Sequence, residues 1–294
     1  SCAIFDGMGR LIANGPHMPV HLGSMDHSVQ AVLDAHRQEL RSGDAWLLND
    51  PYHGGTHLPD LTVVTPVFAE DGTLQFLVAS RGHHADIGGL TPGSMPANSH
   101  RLQEEGVVIP PMRIVRSGTL DEQAIRDVLG SGDWPSRNPD QNIADLRAQL
   151  AANARGTEEL DRLVDEFGLG LVQAYMGHVL DHGEACVRSL VPAFEERFFS
   201  TLMDHGSEIQ LHVRPAGDRV TFDFSGTSEQ SQTNFNAPPA VTRAAVLYVL
   251  RCLIDDEIPL NEGCLRPVEI IIPAGSLLNP DPPHAVVAGN VETS

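Results

Sequence analysis

Between residues 120 and 203 apolar side chains recur at helical spacing almost without interruption, while on either side the apolar runs are short, turn-bounded and strand-like. That order predicts an α+β chain with mixed strands and helices rather than a regular βαβ alternation. Three zones follow: a histidine-rich β region over 1–116, a helical region over 117–206, and an α+β region over 207–294 with strands and one helix. In the first zone Ser1–Asp6 reads as a strand running into the turn Asp6-Gly-Met-Gly9. Leu61–Phe68 and Leu74–Ser80 read as a hairpin turned at Glu70-Asp-Gly72, and Val29–Leu40 as a helix. The central block predicts helices over Asp140–Ala154, Thr157–Phe167 and Gly170 to the Val191-Pro192 break. The last zone predicts strands at Ile209–Val213, Val220–Phe224 and Val268–Ile272, with a helix over Ala240–Ile254. Both ends read as cuts through structure, so one continuous piece of a longer chain is expected.

Composition narrows the classes. The chain has 294 residues, 41% of them hydrophobic, enough for a sizeable core, and 20% charged, which excludes wholesale disorder. No apolar run approaches the roughly 18 residues of a membrane helix, so no membrane span is expected. The net charge of −20 argues against nucleic acid, whose phosphates need a basic face. All 19 basic residues are Arg, which excludes a Lys Schiff base or a phosphate-loop Lys. Cys2, Cys186, Cys252 and Cys264 are too scattered for a disulfide framework or a cysteine zinc site. Buried free thiols, with no charged-then-apolar leader pattern, predict a cytoplasmic protein.

The histidines carry the chemistry. Nine of the 14 lie between His17 and His100, and six of these fall in three loops, at 17–21, 53–60 and 83–86, that adjoin predicted strands. In Asn49-Asp-Pro-Tyr-His-Gly-Gly-Thr-His-Leu-Pro-Asp60, His57 and Asp60 stand three residues apart, stiffened by Pro59. An imidazole and a carboxylate from one short loop suit a divalent metal. Pairing of the hairpin strands brings His83 and His84 back beside them. Neighbours in an extended chain face opposite ways, so one of these two is a ligand and the other a supporting or acid/base group. Asp86 is placed to orient His84 by accepting its second N–H. Two readings stand on spacing alone: a metal centre, or histidines and carboxylates that shape loops. Glu105 offers a further carboxylate or a solvated turn. No GxSxG nucleophile and no phosphate loop of standard spacing occurs.

Ser1-Cys-Ala-Ile-Phe-Asp6, His17-Met-Pro-Val-His-Leu-Gly-Ser24, the Asn49–Asp60 loop, Arg81-Gly-His-His-Ala-Asp-Ile-Gly-Gly89, Gln103-Glu-Glu-Gly-Val-Val-Ile-Pro-Pro111 and Gly289-Asn-Val-Glu-Thr-Ser294 together resemble the hydantoinase B family. That family includes N-methylhydantoinase B subunits, 5-oxoprolinases, caprolactamase and the α-subunits of acetone and acetophenone carboxylases. The resemblance implies a B-type subunit of a hetero-oligomer whose hydantoinase A-type partner binds ATP and activates the substrate. It implies a divalent metal (zinc, iron or manganese) held by His57, Asp60 and His83, with a further Asp ligand ahead of Ser1. The implied reaction opens a cyclic amide, such as a hydantoin, 5-oxoproline or a lactam, with metal-activated water as the nucleophile. His84, Asp86 and Asp50 are the candidates for handling protons, and His21, His53, Arg81 and Glu105 for holding substrate. The acidic bulk charge favours a neutral ring over an anionic one. Three other readings are an α-type subunit of an ATP-dependent ketone carboxylase, a non-catalytic subunit with a structural metal, and an inert piece lacking its partner.

Overall fold

The computed structural model describes residues 1–294 except Pro16, Asp256, Glu257, Pro259 and Leu260, and except the side chain of Leu22. The chain begins with β1 (Cys2–Asp6), β2 (Leu11–Asn14), α1 (Pro19–Leu22) and α2 (Met25–His36). It continues through β3 (Ala45–Leu48), β4 (Asp60–Phe68), β5 (Leu74–His83), β6 (Met112–Arg116) and β7 (Thr119–Leu120). These seven strands form one antiparallel sheet in the order β2-β1-β5-β4-β3-β6-β7. Then come α3 (Glu122–Leu129), α4 (Pro139–Phe167) and α5 (Leu169–Leu190). A second sheet, β8 (Arg197–Leu202), β9 (Glu208–Ala216), β10 (Arg219–Asp223) and β11 (Val268–Ile271), is ordered β11-β10-β9-β8, and α6 (Pro239–Leu253) packs with it. The fold is α+β, with no helix among the described residues long and apolar enough to cross a membrane.

The central strands are apolar on both faces because both faces are covered. Val64, Leu77 and Ala79 pack under Met25, Val29 and Val32 of α2. Leu61 and Val63 point the other way, to Ile143 and Leu146 of α4. Strand alternation therefore sorts the hairpin into an α2 face and an α4 face.

Several expectations are corrected. The helices predicted over 140–154 and 157–167 are one helix, α4. Gly156 does not break it; a Cβ there would meet Val78 Cγ1 at 2.9 Å, so its bareness lets the helix lie against β5. The helix predicted over 29–40 is α2, which starts four residues earlier and ends four earlier, because Met25 is fully buried and Leu40 reaches the core from a turn. Residues 197–202, placed among the helices, form strand β8. Strands β2, β3, β6 and β7 were not expected; each has five residues or fewer. No disulfide joins any of the four cysteines, but only Cys264 is buried, while Cys2 and Cys252 are exposed.

Candidate functional site

The β4–β5 register opposes Asp60 to His83. Both side chains lie on the α2 face, with Thr62 and Arg81 one pleat further along. Asp60 is 4% exposed and its two oxygens are divided: Oδ1 accepts from His83 Nδ1 at 2.9 Å, and Oδ2 from His21 Nε2 at 3.2 Å. His21 comes from α1, and its Nδ1 accepts from the Ser1 hydroxyl at 2.8 Å. His57 closes the corner, its ring stacked on His83 with centroids 5.4 Å apart. Its loop is pressed onto α2: a Cβ at Gly54, where φ is +93°, would meet His27 O at 2.5 Å.

The charges follow from this packing. Burial pushes Asp60 up, but hydrogen bonds from His21 and His83 outweigh it and hold the carboxyl well below the usual carboxylate range. Burial lowers His57 to about 4, so its ring is neutral at pH 7 and keeps an electron pair. Burial also lowers His21, whereas the hydrogen bond to Asp60 raises His83. Neutral imidazoles beside an ionised carboxylate are the donor set that zinc, iron or manganese takes. Among the described residues no three His, Cys, Asp or Glu side chains stand ready as ligands. Asp60 spends both oxygens on imidazole N–H groups, and a cation here would take their place.

His84 points to the other face of the sheet, towards α4, and is 1% exposed. Its Nε2 donates to Gln149 Oε1 at 3.0 Å, and its Nδ1 accepts from Asn142 Nδ2 at 3.0 Å. Both ring nitrogens are engaged, and burial lowers the ring's pKa. Asp86 does not orient His84. Its carboxylate takes the amides of Gly88, Gly93 and Arg137 and pairs with the Arg137 guanidinium at 2.9 Å, so it shapes the loop that follows β5.

Asp50 accepts from His53 Nδ1 at 2.7 Å and from Tyr52 N at 2.9 Å. The His53 side chain is 67% exposed, so its Nε2 faces outward from an oriented ring. Glu105 is no solvated turn: at 1% exposure it accepts from Ser99 Oγ and from the amides of Val286 and Val287. Burial pushes it up to about 7 against those donors. Arg81 is buried, and its donors go to hydroxyls rather than outward. Sequence reading missed Asn142, Gln149 and Asn153, polar residues at i, i+7 and i+11 on the face of α4 that also carries Ile143 and Leu146. That spacing is the signal that marks them as buried.

The whole chain, residues 1–294, matches the family described as Hydantoinase B/oxoprolinase. It is 45% identical to 5-oxoprolinase 1 of Arabidopsis thaliana, over all of this chain and 25% of that protein. The structure is similar to the crystal structure of the ATP-dependent caprolactamase of Pseudomonas jessenii, with a TM-score of 0.86 and 27% identity over 98% of this chain and 50% of that one. A nucleotide-free acetone carboxylase shares the fold, with a TM-score of 0.84 at 16% identity over 98% of this chain and 40% of that one. The chain thus spans about a quarter of the length of the 5-oxoprolinases it matches. It belongs to the hydantoinase B/oxoprolinase family.

Proposed function

We propose that this chain is the ring-opening part of an ATP-dependent cyclic amide hydrolase, acting in the cytoplasm on a hydantoin, 5-oxoproline or lactam that a hydantoinase A-type ATP-binding partner activates. What supports this reading above all is the corner where His21, His57 and His83 gather round the buried, ionised Asp60. In hydrolysis the ring C–N bond breaks; water gives its oxygen to the carbonyl carbon and a proton to the nitrogen. His57, Asp60 and His83 are the residues that would hold a divalent cation, as the family resemblance implies. A cation there would lower the pKa of water and polarise the amide carbonyl.

The remaining steps fall to the chain's own groups. His53 has an outward Nε2 and a carboxylate behind its Nδ1, which suits it to carry the proton that water loses. We assign His84 to anchoring the end of β5, since both its nitrogens are used. The 5-oxoprolinase relatives favour a substrate bearing a carboxylate, against the neutral ring that bulk charge suggested. Likeness to the carboxylase is one of fold and carries no argument for carboxylation. The test is turnover of 5-oxoproline and a lactam by the complete enzyme with ATP. Ring opening that falls at least about 100-fold in Asp60→Asn supports the reading, and unchanged turnover overturns it.

A further inference from the structure

Arg81 is 2% exposed, yet no carboxylate among the described residues pairs with it directly. Its guanidinium spends its donors on hydroxyls: Nε on Thr62 Oγ1 at 2.8 Å, one terminal nitrogen on Ser24 Oγ at 2.6 Å and, more weakly, on Thr56 Oγ1 at 3.5 Å, and the other on Ser28 Oγ at 2.7 Å. The serines pass the contact on. Ser24 Oγ donates to Val20 O at 2.6 Å, and Ser28 Oγ donates to Gly54 O at 2.5 Å. Each hydroxyl thus accepts from a cation and donates to a backbone carbonyl, an arrangement in which the bonds reinforce one another.

The places of these partners carry the meaning. Ser24 and Val20 flank His21. Thr56 precedes His57, whose loop also supplies Gly54 O. Thr62 shares a strand face with Asp60, and Arg81 itself shares one with His83. Three stretches distant in sequence, 20–28, 54–62 and 81–83, therefore meet on one side chain, and between them they bear the four residues of the corner. Only a planar fork with five N–H donors reaches this many acceptors; an ammonium on a thinner stem has three. Because the acceptors are neutral, the cation takes neither oxygen of Asp60. It favours the ionised carboxylate through space and leaves both oxygens to the histidines.

We propose that Arg81 is the positioning residue of the corner: through its hydroxyl partners it fixes the segments carrying His21, His57, Asp60 and His83. What the corner does rests on the function proposed above; the positioning itself does not. The test compares Arg81→Lys and Ser28→Ala with Asn153→Ala, a control on the α4 face, in the full chain. The readouts are the ring-nitrogen NMR signals of labelled histidines in metal-free protein, zinc affinity by chelator competition, and thermal unfolding. Arg81→Lys and Ser28→Ala are expected to shift the signals of His21, His57 and His83 and to weaken zinc about 10- to 100-fold. Asn153→Ala is expected to lower the unfolding temperature and leave those signals in place. If Arg81→Lys fails to fold, Ser28→Ala decides. Folded variants with wild-type histidine signals overturn the proposal. A wild-type chain that binds no zinc counts against the metal reading alone, and the histidine signals still decide the positioning.

Discussion

Glu105 and His84 show how much a residue's role depends on what surrounds it. Glu105 sits among three donors, and burial still carries it up to about 7, from an ordinary value of 4.5 in the unfolded chain. The native state therefore holds a proton that the unfolded state has released between those two values. Glu105 contributes stability that is fully present below pH 4.5 and is lost as pH rises through 7. Denaturant titrations from pH 4.5 to 7 should show wild type losing up to about 3 kcal/mol relative to Glu105→Gln, which cannot ionise. His84 was legible as a histidine near the hairpin end, but not as a buried one. Its partners lie 58 and 65 residues further along the chain, where no local pattern points back to it. His84→Gln is expected to cost stability and to keep kcat within about tenfold, whereas His53→Gln in the complete enzyme should lose about 100-fold in kcat with little change in stability. Steady-state kinetics with parallel melting curves read both.

At the scale of elements, α4 is the rod against which the site hairpin is set. Gln149 donates to Leu61 O and Ser80 O and accepts from His84, tying both strands to one helix position. Gln149→Leu strands the His84 N–H in a dry interior and should cost about 2–4 kcal/mol in unfolding free energy. Gly156→Ala should gain nothing from helix propensity, because the new methyl meets Val78. The hairpin itself was readable from sequence: two β-rich runs and an Asp-Gly turn define β4 and β5, and their pairing brings Asp60 and His83 together. Strands β2, β3 and β6 were not readable, being four or five residues long and paired with strands that no turn announces. The continuity of α4 was hidden for the opposite reason. A glycine that normally signals a break serves here as a contact surface.

Over the whole molecule, protection is unevenly spread. β4 and β5 lie between two helical layers, while every residue of β8 is exposed and the strand stands at the edge of the second sheet. Hydrogen exchange should find the β4 and β5 amides slowest and the β8 amides among the fastest; uniform protection would contradict that layering. The slowest region is also the one that carries the corner, as a site needing fixed geometry requires. Whether this corner binds a divalent metal is decided by elemental analysis of the purified chain beside the double variant His57→Ala, Asp60→Ala. Near-stoichiometric zinc, iron or manganese is expected in the wild type and only background in the variant, with both folded by circular dichroism. A wild-type chain that holds no more metal than the variant, after exposure to all three metals and dialysis, would contradict that expectation.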